Sequence, residues 1–382
     1  MLVKYRLCEL GEILTGNTPS KKNTEFYDSK DIMFIKPDDI NNNITEIKYS
    51  KEYISNKAEK KARIVHKDSL LITCIGSIGK IAINKEKSAF NQQINSIVHN
   101  EKIISSKYLA YVFKVNKQRL EAISNAPVVP IINKTQFSEF EVYIHEEKEI
   151  QQKIVNALDK AQSLIDKRKA QIQALDELVK SRFIEMFGDP VKNPMNWEVK
   201  TVIDVCDCMV PGRDKPKSFT GSTPWITIDD LNVNGVTYKS NLGLTDDEIN
   251  EVKRKKVPKG SVLMSCVGNL GICSIAGDEM IINQQLHSFQ CKDINNFFLM
   301  YYLGFRKDYM MSQASSTTVL YMNKTVCNSI PVYLPPIELQ NQFVDFVKQV
   351  DKLKFEMENS LKELEDNFNS LMQRAFKGEL FN

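Results

Sequence analysis

Metal-ligand spacing is missing from this chain. Its eight cysteines include no Cys-x-x-Cys pair, and only four histidines (His66, His99, His145, His287) accompany them. The usual zinc modules are excluded on that ground. Cys74 and Cys266 sit in apolar runs, where a small thiol reads as core. No stretch of about 18 apolar residues occurs, and Met1 to Leu10 carries Lys4 and Arg6 with no run of signal-sequence length. This pattern predicts a cytoplasmic protein with no membrane association. Glycine (15) and proline (13) are sparse and hydrophobic residues reach 42%, which excludes a disordered chain. A net charge of +3 is too small to announce a nucleic-acid binder, so local clustering must carry any such case.

Catalytic signatures are scarce as well. Gly76, Ser77, Ile78, Gly79, Lys80 imitates a phosphate loop, but Cys74 stands where that motif needs glycine and Ile81 where it needs Ser or Thr. Pro37, Asp38 followed by Glu46, Ile47, Lys48 imitates a nuclease metal site. The repeat described below carries Asp229 and Asp230 at that place with no Glu-x-Lys after them, which argues against it. No Asn-Pro-Pro-Tyr or Asp-Pro-Pro-Tyr clamp is present, and no histidine lies in a nucleophile context. The chain reads as a non-enzyme.

What the chain does have is itself, twice. Ser69 to Gly79 returns 192 positions later as Ser261 to Gly271, and Asn91, Gln92, Gln93 return as Asn283, Gln284, Gln285 at the same offset. Asn133 with Lys134 returns as Asn323 with Lys324. Two related domains therefore share one chain, each followed by a helical stretch. The boundaries read as 1–145 and 191–335 for the domains, and 146–190 and 336–382 for the helical segments.

From Glu146 to Phe187 there is neither glycine nor proline, and apolar residues fall at Ile150, Ile154, Leu158, Ala161, Ile165, Ile172, Leu175 and Val179. Such heptad spacing predicts a helix of roughly 60 Å. The second stretch shows Phe343, Val347, Val350, Leu353, Met357, Leu361, Leu364, Phe368 and Leu371. Neither seam can stay in water, and the simplest partner for each is the other. Connectivity then requires an antiparallel pair, with like domains related by an approximate twofold axis. The predicted fold class is α+β: two homologous domains joined by a long antiparallel two-helix coiled coil.

The opening Leu7, Leu10, Gly11, Glu12, Ile13, Gly16, Thr18, Pro19, the turns at Gly76 and Gly79, and the entry Glu149 to Val155 form an ordered series. The passage Leu175, Leu178, Phe183, Phe187, Gly188, Asp189, Pro190, Trp197 completes it. Taken in this order they resemble the specificity (S) subunit of Type I restriction-modification systems, across essentially the whole chain. The resemblance implies two target recognition domains, each reading one half of a bipartite site in double-stranded DNA. It also implies helical spacers that dock two modification (methyltransferase) subunits, with restriction/translocase subunits as further partners. S-adenosylmethionine, ATP and Mg are then expected on those partners, and no cofactor on this chain. One departure stands out: the second copy shows Pro211, Gly212, Arg213 in place of Gly-Thr-Pro.

Cations cluster where DNA would be held. Lys57, Lys60, Lys61, Arg63 and Lys67 precede the first repeated strand, and Lys253, Arg254, Lys255, Lys256 and Lys259 precede the second. Lys21 and Lys22 follow the first early turn, as Lys215 and Lys217 follow Arg213. These are candidate phosphate contacts. Base readers are sought on loops: Ser77, Lys80 and Asn269 on the glycine turns, and Ser124, Asn125, Ser316, Thr317 and Thr318 before the shared Asn-Lys. Gln92, Gln93, Gln284 and Gln285 are alike in both copies, so a structural or phosphate role suits them better. A coiled-coil scaffold with repeated protein-binding domains is the alternative reading, and a metal-dependent nuclease a third.

Overall fold

The computed structural model describes residues 1–124, 129–212, 214–316 and 319–381. The chain divides into two compact units, Met1–Lys169 with Asn359–Asn382, and Ala170–Glu358. The fold is α+β, with two β-rich domains and two long helices packed together. No helix among the described residues is long and apolar enough to cross a membrane.

In the first unit a five-stranded sheet runs in the order Gly11–Thr15, Ile94–His99, Leu70–Thr73, Ile81–Asn84, Thr45–Ile47. The second unit repeats it as Cys206–Met209, Leu286–Cys291, Val262–Ser265, Cys273–Ala276, Val236–Thr237. Register repeats with order: Leu70 faces Ile83 as Val262 faces Ile275. The central strands Leu70–Thr73 and Val262–Ser265 are buried throughout, because both faces of each sheet are covered. Cys74 and Cys266, directly after them, are core thiols, and burial pushes the Cys74 thiol up to about 12.

Each domain closes on itself before its helix begins. Leu2–Arg6 pairs antiparallel with Glu141–His145, and Glu198–Thr201 with Pro331–Leu334, so the first and last strands lie side by side. The Asn-Lys signature has a local explanation. Asn133 Oδ1 accepts the Gln136 backbone N–H at 2.8 Å, and Asn323 Oδ1 accepts that of Val326 at 3.0 Å, each capping a short helix.

The long helices span Lys148–Phe187 and Ile337–Phe376. Gly188 and Gly378 follow them with φ of +78° and +75°, the left-handed values that glycine adopts without a Cβ penalty. Half of each helix belongs to either unit, and within each unit the halves run antiparallel. In the first unit Ile150, Ile154, Leu158 and Ile165 share a buried cluster with Phe368, Met372 and Ala375, and Lys169 pairs with Glu365 at 2.7 Å. In the second, Phe183 and Phe187 pack edge-on to Phe343, and Lys354 pairs with Asp176 at 2.7 Å.

The seams are not a free-standing rod. The same clusters run on through Tyr108, Leu109 and Leu70 in the first unit and through Phe298, Tyr302 and Val262 in the second. A domain helix, Ser106–Val115 or Asn296–Phe305, thus contributes to each. Tyr111 donates to Asp159 at 2.5 Å, and Phe183 stacks on Phe298 with centroids 5.6 Å apart. Heptad spacing alone misjudges some positions: Leu353 is 42% exposed, whereas Met372 and Ala375 are buried. A helix of 3.6 residues per turn drifts from a 3.5-residue stripe, and a second packing surface widens the apolar face.

Phe183 touches Phe187, Phe298, Phe305 and Phe343 and is fully buried. Phe183→Ala is expected to destabilise the protein by about 3–5 kcal/mol, read as a fall in denaturant midpoint. His287 is buried against Asn328, its Nε2 lying 3.1 Å from Oδ1, and burial lowers its pKa to about 4. Its folded pKa lies below its unfolded value, so stability should decline as pH falls from the ordinary histidine value of 6.5 toward about 4. His287→Gln should flatten that part of a melting-temperature profile against pH.

Candidate nucleic-acid interface

The two glycine turns are one device built twice. In the first unit the Thr73 hydroxyl donates to the Ser77 carbonyl and accepts from the Lys80 N–H at 2.9 Å. In the second, the Ser265 hydroxyl donates to the Asn269 carbonyl at 2.6 Å and accepts from the Ile272 N–H at 2.8 Å. Gly76, Gly79, Gly268 and Gly271 all have φ between +73° and +77°. A buried hydroxyl at the strand end therefore braces each loop from inside, and the glycines supply the chirality that any other residue would resist. Ser77 and Asn269 stand exposed at the two tips.

A second loop lies beside each turn. Gly76 N–H donates to Pro130 O at 2.9 Å and Ile132 N–H to Cys74 O at 2.9 Å. Gly268 N–H donates to Leu320 O at 2.8 Å and Met322 N–H to Cys266 O at 2.9 Å. The structure thus brings together the turn and the segment before Asn-Lys, which the sequence offered as separate candidates. In the second unit Ser315–Ser316 pairs antiparallel with Leu320–Tyr321. In the first, a cavity of about 420 Å³ is lined by Ser77, Lys80, Lys117, Glu121, Ser124 and Pro130 among others. Asn125, Arg213, Thr317 and Thr318 lie outside the described residues, and of Ser316 only the backbone is described.

The basic runs divide by environment. Lys60, Lys61, Arg63 and Lys67 are exposed and form no ion pair among the described residues, and Lys21 and Lys22 share that state on an exposed turn. Lys253, Lys255, Lys259 and Lys215 are likewise exposed and unpaired there. Lys57 is held by Glu25 and Asp28 at 3.7 and 3.6 Å, Lys217 by Glu251 at 2.6 Å, and Lys256 by Asp246 and Glu279 at 3.1 and 3.2 Å. Lys80 is half-buried, with Nζ 3.4 Å from the Pro37 carbonyl. Arg254 departs from expectation. It is 7% exposed, donates from Nη2 to Asp214 O at 2.7 Å and stacks over Trp225 at 5.3 Å, the geometry of a packing group. A buried indole, invisible in the local run, pulls it inward.

The paired glutamines resolve into turn chemistry. Asn91 Nδ2 donates to Gln93 Oε1 at 2.8 Å, and Asn283 Nδ2 to Gln285 Oε1 at 2.9 Å. Gln92 accepts from the Thr18 hydroxyl at 2.7 Å, joining the early loop to this turn. Two cations escaped the sequence reading: Lys117 and Lys307, 190 positions apart, each at the start of a short helix against its glycine turn. Their shared offset with Asn133 and Asn323 is the signal that could have found them.

The nuclease-like pattern does not assemble among the described residues. Glu46, the second carboxylate of the nuclease-like pattern, is held by Lys107 at 3.3 Å and Lys85 at 3.6 Å. Among the described residues no group of three or more His, Cys, Asp or Glu side chains could hold a metal ion. The arrangement offers donors, acceptors and positive charge on braced loops.

Comparison with known proteins agrees with this geometry. The family described as Type I restriction modification DNA specificity domain matches residues 2–176 and 194–366. The MjaIX Type I restriction enzyme specificity subunit of Methanocaldococcus jannaschii is 24% identical, over 98% of this chain and 92% of that one. The HindI specificity subunit of Haemophilus influenzae is 32% identical over 44% of this chain and 38% of its own. Among solved structures, the Type I restriction-modification S subunit from M. genitalium superimposes with a TM-score of 0.54 at 13% identity, covering 98% of this chain and 96% of that one. A chain from a study of complex assembly and conformational transition of the type I R-M system reaches 0.68 at 17% identity, covering 99% and 98%.

The early loop of the second unit hangs on one carboxylate. Glu248 accepts from the Ser218 hydroxyl at 2.6 Å and also from the Thr245 and Thr220 N–H groups, which holds its pKa at about 2. The tether is complete above the ordinary carboxylate range and should be lost as pH falls toward about 2. Glu248→Ala is expected to expose the 214–220 loop to limited proteolysis at neutral pH while leaving cleavage of the first unit unchanged.

Proposed function

The chain belongs to the family of Type I restriction-modification specificity subunits, and on that premise we propose that it reads a bipartite duplex site, one half with each domain. It is the DNA specificity subunit of a Type I system, the non-catalytic member of the complex. Residues 1–145 and 191–335 serve as the two target recognition domains, and 146–190 and 336–382 as helical spacers that dock two adenine methyltransferase subunits. Those partners bind S-adenosylmethionine and carry the methyl transfer. Restriction/translocase subunits, where they join, bring the ATP- and Mg-dependent steps.

One observation carries this reading: the same braced turn occurs in both units with a different side chain at its tip, Ser77 in one and Asn269 in the other. A duplicated backbone supplies one docking geometry, and a diverged tip supplies two different half-sites. Binding strength has another source. The exposed Lys60, Lys61, Arg63 and Lys67 and their counterparts Lys253, Lys255 and Lys259 suit phosphate contacts, which add affinity without sequence information.

Mobility-shift selection from random duplex pools, with and without the modification subunit, tests this assignment. Enrichment of one split motif at moderate salt is expected. Recovery of no motif would favour a protein-binding scaffold, and Mg-dependent cutting by the lone chain would favour a nuclease. Replacing Lys60, Lys61, Arg63 and Lys67 together by Ala should weaken binding to all sequences alike. It should also flatten the slope of log affinity against log salt by up to about 0.9 for each phosphate no longer neutralised. The motif itself should not change.

A further inference from the structure

Lys307 Nζ donates to Asn269 Oδ1 at 2.9 Å, and this hydrogen bond decides what the tip of the second turn can recognise. Both side chains are exposed, and Lys307 makes no ion pair among the described residues. Its helix, Lys307–Gln313, packs directly on the turn: a Cβ placed on Gly271 would lie 3.1 Å from Met310 Sδ and 3.7 Å from Lys307 Cα. Met310 is fully buried, so the helix that carries Lys307 is anchored to the domain core.

Only the carbonyl end of an asparagine amide can face an ammonium group. With Oδ1 engaged by Lys307, Asn269 presents its NH₂ outward, and Lys307 keeps N–H groups free of that bond. Oδ1 keeps a second lone pair, but it lies beside the ammonium, so the pair presents chiefly donors. An unconstrained asparagine pairs bidentately with adenine, donating to N7 and accepting from N6, and here the ammonium of Lys307 holds Oδ1 away from that task. Guanine offers O6 and N7, two acceptors on one major-groove edge, whereas adenine sets one acceptor beside an amino group, thymine one acceptor beside a methyl group, and cytosine an amino group alone.

We propose that Lys307 is a specificity-determining positioning residue which, by holding the Asn269 amide, makes the second unit select guanine at the base facing the 268–271 turn. The inference rests on the DNA-reading assignment above and names the chemistry of one base within it. The first unit is built differently at this point. Its tip carries Ser77, a hydroxyl that both donates and accepts, and Lys117 there pairs with Glu121 at 3.8 Å.

The experiment is motif determination, by selection from random duplex pools on the complex with its modification subunit, for wild type, Ser77→Ala, Asn269→Asp and Lys307→Met. Ser77→Ala marks the half-site read by the first unit. Wild type should hold a guanine in the other half-site. Asn269→Asp exchanges donor for acceptor and should shift that position toward an amino-bearing base, with a loss of guanine preference of roughly tenfold or more. Lys307→Met should free the amide to turn and admit adenine alongside guanine. In both variants the first unit's half-site should persist, which serves as the folding control. If Lys307→Met abolishes all binding, Asn269→Asp, a surface change of equal size, decides the matter. A guanine preference unchanged in Asn269→Asp, a base preference unchanged in Lys307→Met, or a wild-type half-site without guanine overturns the proposal. Failure of wild type to select any split motif would instead overturn the DNA-reading assignment.

Discussion

Two 40-residue amphipathic helices cannot leave their apolar faces in water, and the rest of the structure is arranged around burying them. In each unit the antiparallel helix halves and one domain helix feed a single continuous cluster, reaching from Phe183 and Phe343 to the central strand in the second unit. The glycine turns and the helices thus share one buried cluster in each unit. The glycine turns grow from the ends of the strands Leu70–Thr73 and Val262–Ser265, whose side chains lie in those same clusters. Closing strands Glu141–His145 and Pro331–Leu334 then deliver the chain to each helix start.

Duplication separates what recurs from what diverges. Groups that recur in both units turn out to satisfy backbone: the caps Asn133 and Asn323, Asn91 and Asn283 accepting from the Gln93 and Gln285 N–H groups, and the hydroxyls of Thr73 and Ser265. At the buried Thr73 and Ser265 an orphaned partner would otherwise cost about 1–3 kcal/mol. The side chains that differ sit where backbone is already satisfied and the surroundings are solvent. Ser77 and Asn269 can therefore diverge without disturbing the turn that holds them, which is the property a family of DNA readers requires.

Much of this was legible in the chain. The end of the first long helix at Phe187 followed from its run without glycine or proline, the turn positions from their glycines, and the doubled domain from repeat register, because each depends on local backbone chemistry or periodicity. Charge assignments fared worse. Arg254, Lys256 and Lys217 read like their exposed neighbours, yet one stacks on a buried indole and the others meet carboxylates. Trp225 and Glu279 lie far from them along the chain, and no local pattern announces such a meeting. Leu353 shows the same limit for the helices, since a stripe of apolar residues names a face but not the width of what covers it.

The sequence by itself determined the number of domains, the order of domain and helix, the antiparallel return and the residues at each tip. These are properties of pattern along one dimension. Tertiary structure decided which cations remain free, which loop stands beside which turn, and how the Asn269 amide is oriented by Lys307. The reason is physical: a hydrogen-bonding side chain takes its character from the groups within about 3 Å of it. Those groups arrive from distant parts of the chain only after the core has closed.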